Sequence, residues 1–149
     1  TILGQFIQTA TAYQPLLMGV VISSVMGMIL TAPISSVAIS VAINLGGIAG
    51  GAAVVGCCTQ MIGFMMMSIR DNNVGKIVSI GIGTSMLQFK NILRKPLIWL
   101  PTIIVSALLG PFATTVFMLR TTPAGAGMGT CALIGPISTI LEMTDNPLM

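Results

Sequence analysis

The stretch AAVVGCCTQMIGFMMMSI (residues 52–69) carries no charged side chain and has the length of a helical bilayer crossing, which takes about 20 apolar residues. The uncharged sequence extends back to Thr1, because the first charged residue of the chain is Arg70. Over all 149 residues, 6% are charged and 54% are hydrophobic, whereas a soluble domain carries roughly 25% charged residues. The composition predicts an all-α integral membrane protein and excludes a soluble enzyme.

The residue types also exclude several kinds of chemistry. The chain has no histidine, so it offers no phosphohistidine, no histidine metal ligand and no Ser-His-Asp triad. The three cysteines have no zinc-site spacing and are interpreted as apolar packing residues (Cys57, Cys58, Cys131). We expect no metal and no cofactor. The net charge of +3 comes from few basic residues between apolar runs, where they indicate membrane orientation rather than nucleic-acid binding.

Three strong crossings are predicted, over residues 16–32, 52–69 and 96–119. Pro33 follows the first, so residues 34–45 either continue one kinked helix or form a separate short one. The run GGIAGG (residues 46–51) is either a packing seam between helices or a break. Trp99 lies near one end of the third crossing, as interfacial aromatic residues do.

Two further segments are apolar but broken. Residues 77–89 are too short to span and are interrupted by Gly81 and Gly83. Basic residues flank this segment on both sides, which places both flanks in the cytoplasm and predicts a re-entrant element. Residues 121–141 are broken by two prolines and four glycines and predict a second one. The expected fold is a polytopic helical membrane protein with two Gly-rich broken or re-entrant segments.

The two broken segments share a motif. GIGTSML (residues 81–87) matches GMGTCAL (residues 127–133). Paired interrupted segments indicate a transport site near the membrane midplane, although glycines and small hydroxyl residues also simply pack helices. The motif residues that could approach or hydrogen-bond a substrate are Gly81, Gly83, Thr84, Ser85, Gly127, Gly129 and Thr130.

Longer stretches around these motifs resemble one family. They are GIGTSMLQ (residues 81–88), NI (91–92), PLIWLP (96–101), LGP (109–111) and TPAGAGMGT (122–130). They are similar to the second group of membrane IIC components of the bacterial phosphoenolpyruvate-dependent sugar phosphotransferase system. Family members are longer, so we expect residues 1–149 to be a single transmembrane domain and a fragment or C-terminal half of a longer permease.

The resemblance implies a permease in the bacterial cell (inner) membrane that crosses the lipid bilayer several times. Such a protein binds and translocates a sugar, which a separate IIB component phosphorylates with a phosphoryl group relayed through IIA. It also implies a homodimer. Because some members are described as toxin regulators, a membrane sensor that binds a ligand without transport is the alternative. An ion-coupled transporter ranks third, since it would need more buried acidic groups.

Sugar recognition needs several groups that can donate and accept hydrogen bonds. The polar side chains available for it near the motifs are Gln88 and Asn91, while Asn44 and Gln60 are notable in the uncharged half. Glu142 is the candidate catalytic residue, because a carboxylate in or near a membrane is costly and marks function by default. It would accept hydrogen bonds from the sugar and orient the attacking hydroxyl. The competing interpretation is an interfacial residue at the end of a segment.

Overall fold

The structure is a computed structural model that describes residues 2–31, 35–70, 73–83, 93–116, 119–128 and 134–145. Within these ranges no β-strand is present, and a single bridge pair joins Gly47 and Thr121. The α-helices include α1 (Ile2–Tyr13), α2 (Pro15–Thr31), α3 (Ser36–Ala42), α4 (Gly47–Ser68), α5 (Val74–Val78), α6 (Trp99–Thr115), α7 (Pro123–Met128) and α8 (Ile134–Asp145). The all-α prediction is therefore confirmed for this part of the chain.

Two turns of other helical types extend these elements. A π-helical turn (Ser79–Gly83) continues α5, and a 3-10 turn (Pro96–Ile98) leads into α6. Ser35 separates α2 from α3, because its backbone is extended and its hydroxyl oxygen accepts a hydrogen bond from the Ala38 amide. Ser36–Ala42 thus form a short helix of their own, and Pro33 and Ile34 lie outside the described residues.

The centre of the fold is a bundle of α2, α4 and α6, which pack against one another in all three pairs. Gly56 places α4 against α2, since a β-carbon there would stand 2.6 Å from the Cα atom of Ser23. At the contact of α4 with α6, a β-carbon on Gly63 would stand 2.5 Å from Cγ2 of Thr102. Glycine lets helix backbones approach this closely, which is how helices associate in membranes.

The contact between α2 and α6 combines glycine with hydroxyl groups. A β-carbon on Gly19 would stand 2.7 Å from Oγ1 of Thr114. The Thr114 hydroxyl donates to the carbonyl of Pro15 at 2.9 Å, and Ser23 Oγ donates to the carbonyl of Ser106 at 2.8 Å. Hydrogen bonds between helices thus run through the interior of the bundle.

Polar side chains lie inside this bundle beside its apolar core, and further large apolar side chains cover its outside. The buried polar residues include Ser23, Thr31, Gln60, Ser106 and Thr114. The exposed apolar residues include Leu17, Val21, Val25, Ile104, Leu108 and Phe112. A soluble bundle would show the reverse arrangement on its outer face, so the outer surface of α2 and α6 suits an apolar surrounding.

One helix, α4, is long and apolar enough to cross a membrane by length and composition, among the residues that the structure describes. It covers the predicted crossing at residues 52–69. The other two predicted crossings correspond to shorter apolar helices, Pro15–Thr31 and Pro96–Phe112. Their length of 17 residues is at the lower limit for a helical span.

The run GGIAGG (residues 46–51) contains both a break before α4 and a close packing contact within it. A turn precedes α4, with Asn44 at φ 54° and Gly47 at φ 62°, a backbone region that favours glycine and asparagine. Gly50 and Gly51 then pack so closely on residues 119–121 that a β-carbon on Gly50 would stand 2.9 Å from Cγ2 of Thr121. The same chain covers these glycines, so they supply no surface for a dimer.

Candidate functional site

The first glycine segment begins where the π-helical turn packs against α4. This turn carries Gly81 and Gly83, and its Ile80 side chain is buried against Phe64 of α4. Partly buried apolar side chains pack around this pair, among them Trp99. Turns of π-helix occur frequently at functional sites. The other predicted residues of this segment lie outside the described part of the chain: Thr84, Ser85, Gln88 and Asn91.

The second glycine segment includes α7, which two serines of α3 hold in place. Ser40 Oγ donates to the carbonyl of Pro123 at 2.7 Å, and Ser36 Oγ donates to the carbonyl of Gly127 at 2.6 Å. The Gly127 carbonyl is among the last four of α7, which have no partner within the helix, and apolar surroundings require that it find one. Gly127 is buried on α3, where a β-carbon would stand 2.5 Å from the Cα atom of Val37. We call this pair of hydrogen bonds the serine clamp.

A thiol adds a weaker contact to the same short helix. Cys57 of α4 is buried, and its Sγ lies 3.7 Å from the carbonyl oxygen of Ala126 and 3.6 Å from that of Met26. A thiol is a weak donor, so this contact helps to seat α7 against α4. Gly129 and Thr130, the next predicted site residues, lie outside the described residues.

Glu142 lies on α8, which packs against α7. A β-carbon on Gly125 would stand 2.6 Å from the Cβ atom of Ser138, so the Ser138 side of α8 faces the first turn of α7. Glu142 is one helical turn further along the same side and is half-buried. It makes no ion pair or side-chain hydrogen bond to the described residues. Glu142 thus lies on the helix that packs against the second glycine segment.

The two glycine segments pack on one side of α4. Cys57 contacts α7, and Phe64 contacts the π-helical turn. These residues are seven positions apart, so they lie on one stripe of the helix and roughly 10 Å apart along its axis. The start of each glycine motif thus packs on the same helix, α4, at positions that are close to each other along the helix axis.

Gln60 lies on α4 between these two levels and is fully buried. Neither its Oε1 nor its Nε2 has a hydrogen-bond partner within the described part of the chain. The side chain packs over Gly27 of α2, where a β-carbon would stand 2.6 Å from Gln60 Cγ and 3.3 Å from Nε2. A buried amide without partners is rare, because it costs free energy that a hydrogen bond would recover.

The groove between α4 and α6 has the wrong chemistry for a sugar. Its volume is about 520 Å³. The hydroxyls of its Thr59 and Thr102 donate within their own helices, to the carbonyls of Val55 at 2.7 Å and Trp99 at 2.8 Å. Since those groups are occupied and the remaining lining is largely apolar, the groove offers little to sugar hydroxyls.

Sequence reasoning did not anticipate the serine clamp. Ser36 and Ser40 are separated from their partners by 91 and 83 residues, and nothing in the local sequence marks such a pairing. Gln60 was visible as one of few polar residues in an uncharged run, but its lack of partners is a property of the packing. Asn44 proves to be a turn residue, exposed and with positive φ.

The closely packed, uncharged helices α2, α4 and α6, with buried polar groups between them and apolar side chains on their outer faces, are typical of a helical membrane protein. The family model described as "Phosphotransferase system, EIIC" matches residues 1–148, and the chain therefore belongs to that family. No curated protein and no solved structure matches it. The family defines a membrane-bound permease component of a sugar phosphotransferase system, with a sugar as substrate and IIA and IIB proteins as partners in general.

Proposed function

We propose that the chain forms the sugar-translocating part of a multi-pass permease and that a separate IIB protein phosphorylates the sugar at the cytoplasmic face. The observation that carries the proposal is the packing of both glycine segments on one stripe of α4. Transporters build their sites from paired interrupted segments near the membrane midplane. A segment such as α7 is tolerated there because protein surrounds it and satisfies its backbone.

The site would combine three kinds of group. Glu142 would accept hydrogen bonds from sugar hydroxyls and orient the one that attacks the phosphoryl donor. Hydroxyl and amide side chains would bind the remaining hydroxyls, and glycines would let the sugar approach the backbone. These residues are Thr84, Ser85, Gln88, Asn91, Thr130, Gly81, Gly83 and Gly129. Gly127 is buried against α3, so its part is to position the residues that follow it.

The proposal also places the protein in a membrane. We propose that α2, α4 and α6 each cross the lipid bilayer of a bacterial cell membrane, since none of the three carries a charge. Residues 1–149 would be one transmembrane domain of a longer permease that functions as a homodimer. The exposed apolar side chains of α2 and α6 support the bilayer contact.

Uptake by vesicles tests the transport function directly. Vesicles carrying the full permease, with the phosphoenolpyruvate relay proteins inside, are supplied with labelled hexoses, hexitols and disaccharides. We expect one sugar to accumulate as its phosphate, and only when the relay is present. Accumulation of the free sugar, or binding without any accumulation, would contradict coupled transport.

Replacing the carboxylate tests the assignment of Glu142. Glu142→Gln is expected to lower relay-dependent uptake by about 100-fold, the scale on which a positioned acid–base group contributes. Asp145→Asn is the matched control, because it makes the same change at the end of the same helix and should leave uptake unchanged. Equal uptake by Glu142→Gln and the wild type would remove Glu142 from the site.

Labelling of single cysteines tests the topology. In a variant without the three native cysteines, we expect Lys76→Cys and Lys95→Cys to react with an impermeant maleimide from the cytoplasm. Both positions are exposed and flank the first broken segment. Thr122→Cys, exposed beyond α6, should react from the opposite side. Reaction of Lys76→Cys and Lys95→Cys from opposite sides would show that the segment between them spans the membrane.

A further inference from the structure

We propose that Gln60 is a sugar-binding residue of this permease and that the structure shows the state in which the site around it is closed. The inference rests on the proposed function and assigns to the site a residue outside both glycine motifs. Its starting point is the fully buried amide that has no hydrogen-bond partner within the described residues.

The position of Gln60 is that of a transport site. It lies three residues after Cys57, which contacts the second glycine segment, and four before Phe64, which contacts the first. Helix α4 runs from Gly47 to Ser68, so Gln60 is roughly 4 Å from the middle of the helix along its axis. Transport sites are found at this depth, between interrupted segments.

The chemistry of the side chain suits a sugar. An amide offers two donor hydrogens and an acceptor oxygen, which is the pattern that a pair of neighbouring sugar hydroxyls can match. Burying an amide in an apolar interior without hydrogen-bond partners costs free energy. A residue that served packing alone would be replaced by an apolar side chain of equal volume at no loss. The unmatched amide is instead explained by a partner that arrives with the substrate.

The packing around Gln60 also shows how the site could open. Its side chain lies on Gly27 of α2, and one turn away Gly56 of α4 packs on the backbone of Ser23 in α2. At these two glycines the contact is made by backbone atoms and by the Gln60 side chain itself. A rocking movement of α2 relative to α4 would therefore uncover the amide, and such movements of one helix group against another underlie alternating access.

The decisive variant is Gln60→Met, which keeps the length of the side chain and removes its polar atoms. If the amide only fills space, this change should raise or preserve the thermal unfolding midpoint and leave sugar binding intact, because it removes an unmatched buried group. If the amide binds sugar, the midpoint should still be preserved, but affinity should fall by at least about tenfold, the equivalent of one to two hydrogen bonds.

Binding is measured on the purified full permease in detergent, with the sugar that the wild type accumulates in the vesicle assay as the probe. Thr59→Val is the matched control, because it removes a polar group at the next residue, whose hydroxyl donates to Val55 within the same helix. It should bind the sugar as the wild type does. Gln60→Asn, which shortens the side chain and keeps the amide, should give an intermediate affinity.

The outcomes separate this inference from the proposed function. Unchanged affinity in Gln60→Met, with uptake intact, would overturn the role of Gln60 and leave the permease assignment standing. A loss of affinity together with a lower unfolding midpoint in Gln60→Met would show a structural role and also overturn it. Failure of the wild type to bind or accumulate any sugar of the panel would overturn both.

Discussion

Gly56→Ala is expected to destabilise the helical bundle strongly. The added methyl group would stand 2.6 Å from the Cα atom of Ser23 and overlap its carbonyl group, whereas carbon atoms in contact are about 3.5–4.0 Å apart. Both partners in this contact are backbone, so neither can change rotamer to make room, and α2 must move away from α4. We expect a loss of about 3 kcal/mol in the free energy of unfolding, seen as poor recovery of monodisperse protein and a lower unfolding midpoint.

The chain supplies a matched control for this substitution. Gly75 is exposed on α5, and a β-carbon there would meet no atom within 4 Å. Gly75→Ala should be neutral or stabilise the protein by up to about 1 kcal/mol, since alanine favours helix. If Gly56→Ala were recovered as well as Gly75→Ala and unfolded at the same temperature, the close approach of α2 and α4 would be wrong.

Loss of the serine clamp is expected to abolish transport. The double variant Ser36→Ala, Ser40→Ala leaves the carbonyls of Gly127 and Pro123 without their side-chain donors. Loss of its partner costs the buried Gly127 carbonyl about 1–3 kcal/mol, and the second hydrogen bond, to Pro123 at the start of α7, is worth about 0.5–1.5 kcal/mol. Because α7 is only six residues long, it has little intrinsic stability. We expect it to leave its place on α3 and relay-dependent uptake to disappear.

Ser79→Ala is the matched control for the double serine variant. Ser79 is exposed, and its hydroxyl donates only within its own helix, to the carbonyl of Gly75 at 2.8 Å. Ser79→Ala should leave uptake and stability unchanged. Proteolysis adds an independent readout, since release of α7 should expose the segment after Arg120 to cleavage. Normal uptake by the double variant would show that the two hydrogen bonds do not hold the segment.

The sequence was informative wherever a single physical requirement dominates. An uncharged run of bilayer length has few stable alternatives to a helix. Helices α2, α4 and α6 overlap the predicted segments 16–32, 52–69 and 96–119, and of these α4 is long and apolar enough to cross a membrane. Because proline interrupts the backbone hydrogen bonds of a helix, Pro33 left two possibilities, a kinked continuation or a separate helix. The structure shows a separate short helix, α3.

The arrangement of these helices was not predictable from the sequence. Nothing in the local sequence of α3 distinguishes its serines, and only the fold shows that they reach α7. Similarly, a glutamine within an apolar helix is compatible with lipid, protein or solvent contact. Its complete burial without partners follows from where Gly27 lies, which depends on the whole bundle.

The glycine contacts of the bundle also set how this protein can change over generations. The neighbour of Gly63 is the side chain of Thr102, so an alanine at position 63 can be compensated by a smaller residue at position 102. The neighbour of Gly56 is the backbone of Ser23, which no second substitution can shrink. A substitution at Gly63 can therefore be tolerated after a second substitution at Thr102. No second substitution at Ser23 can compensate a larger residue at Gly56, so we expect position 56 to remain glycine as the sequence diverges.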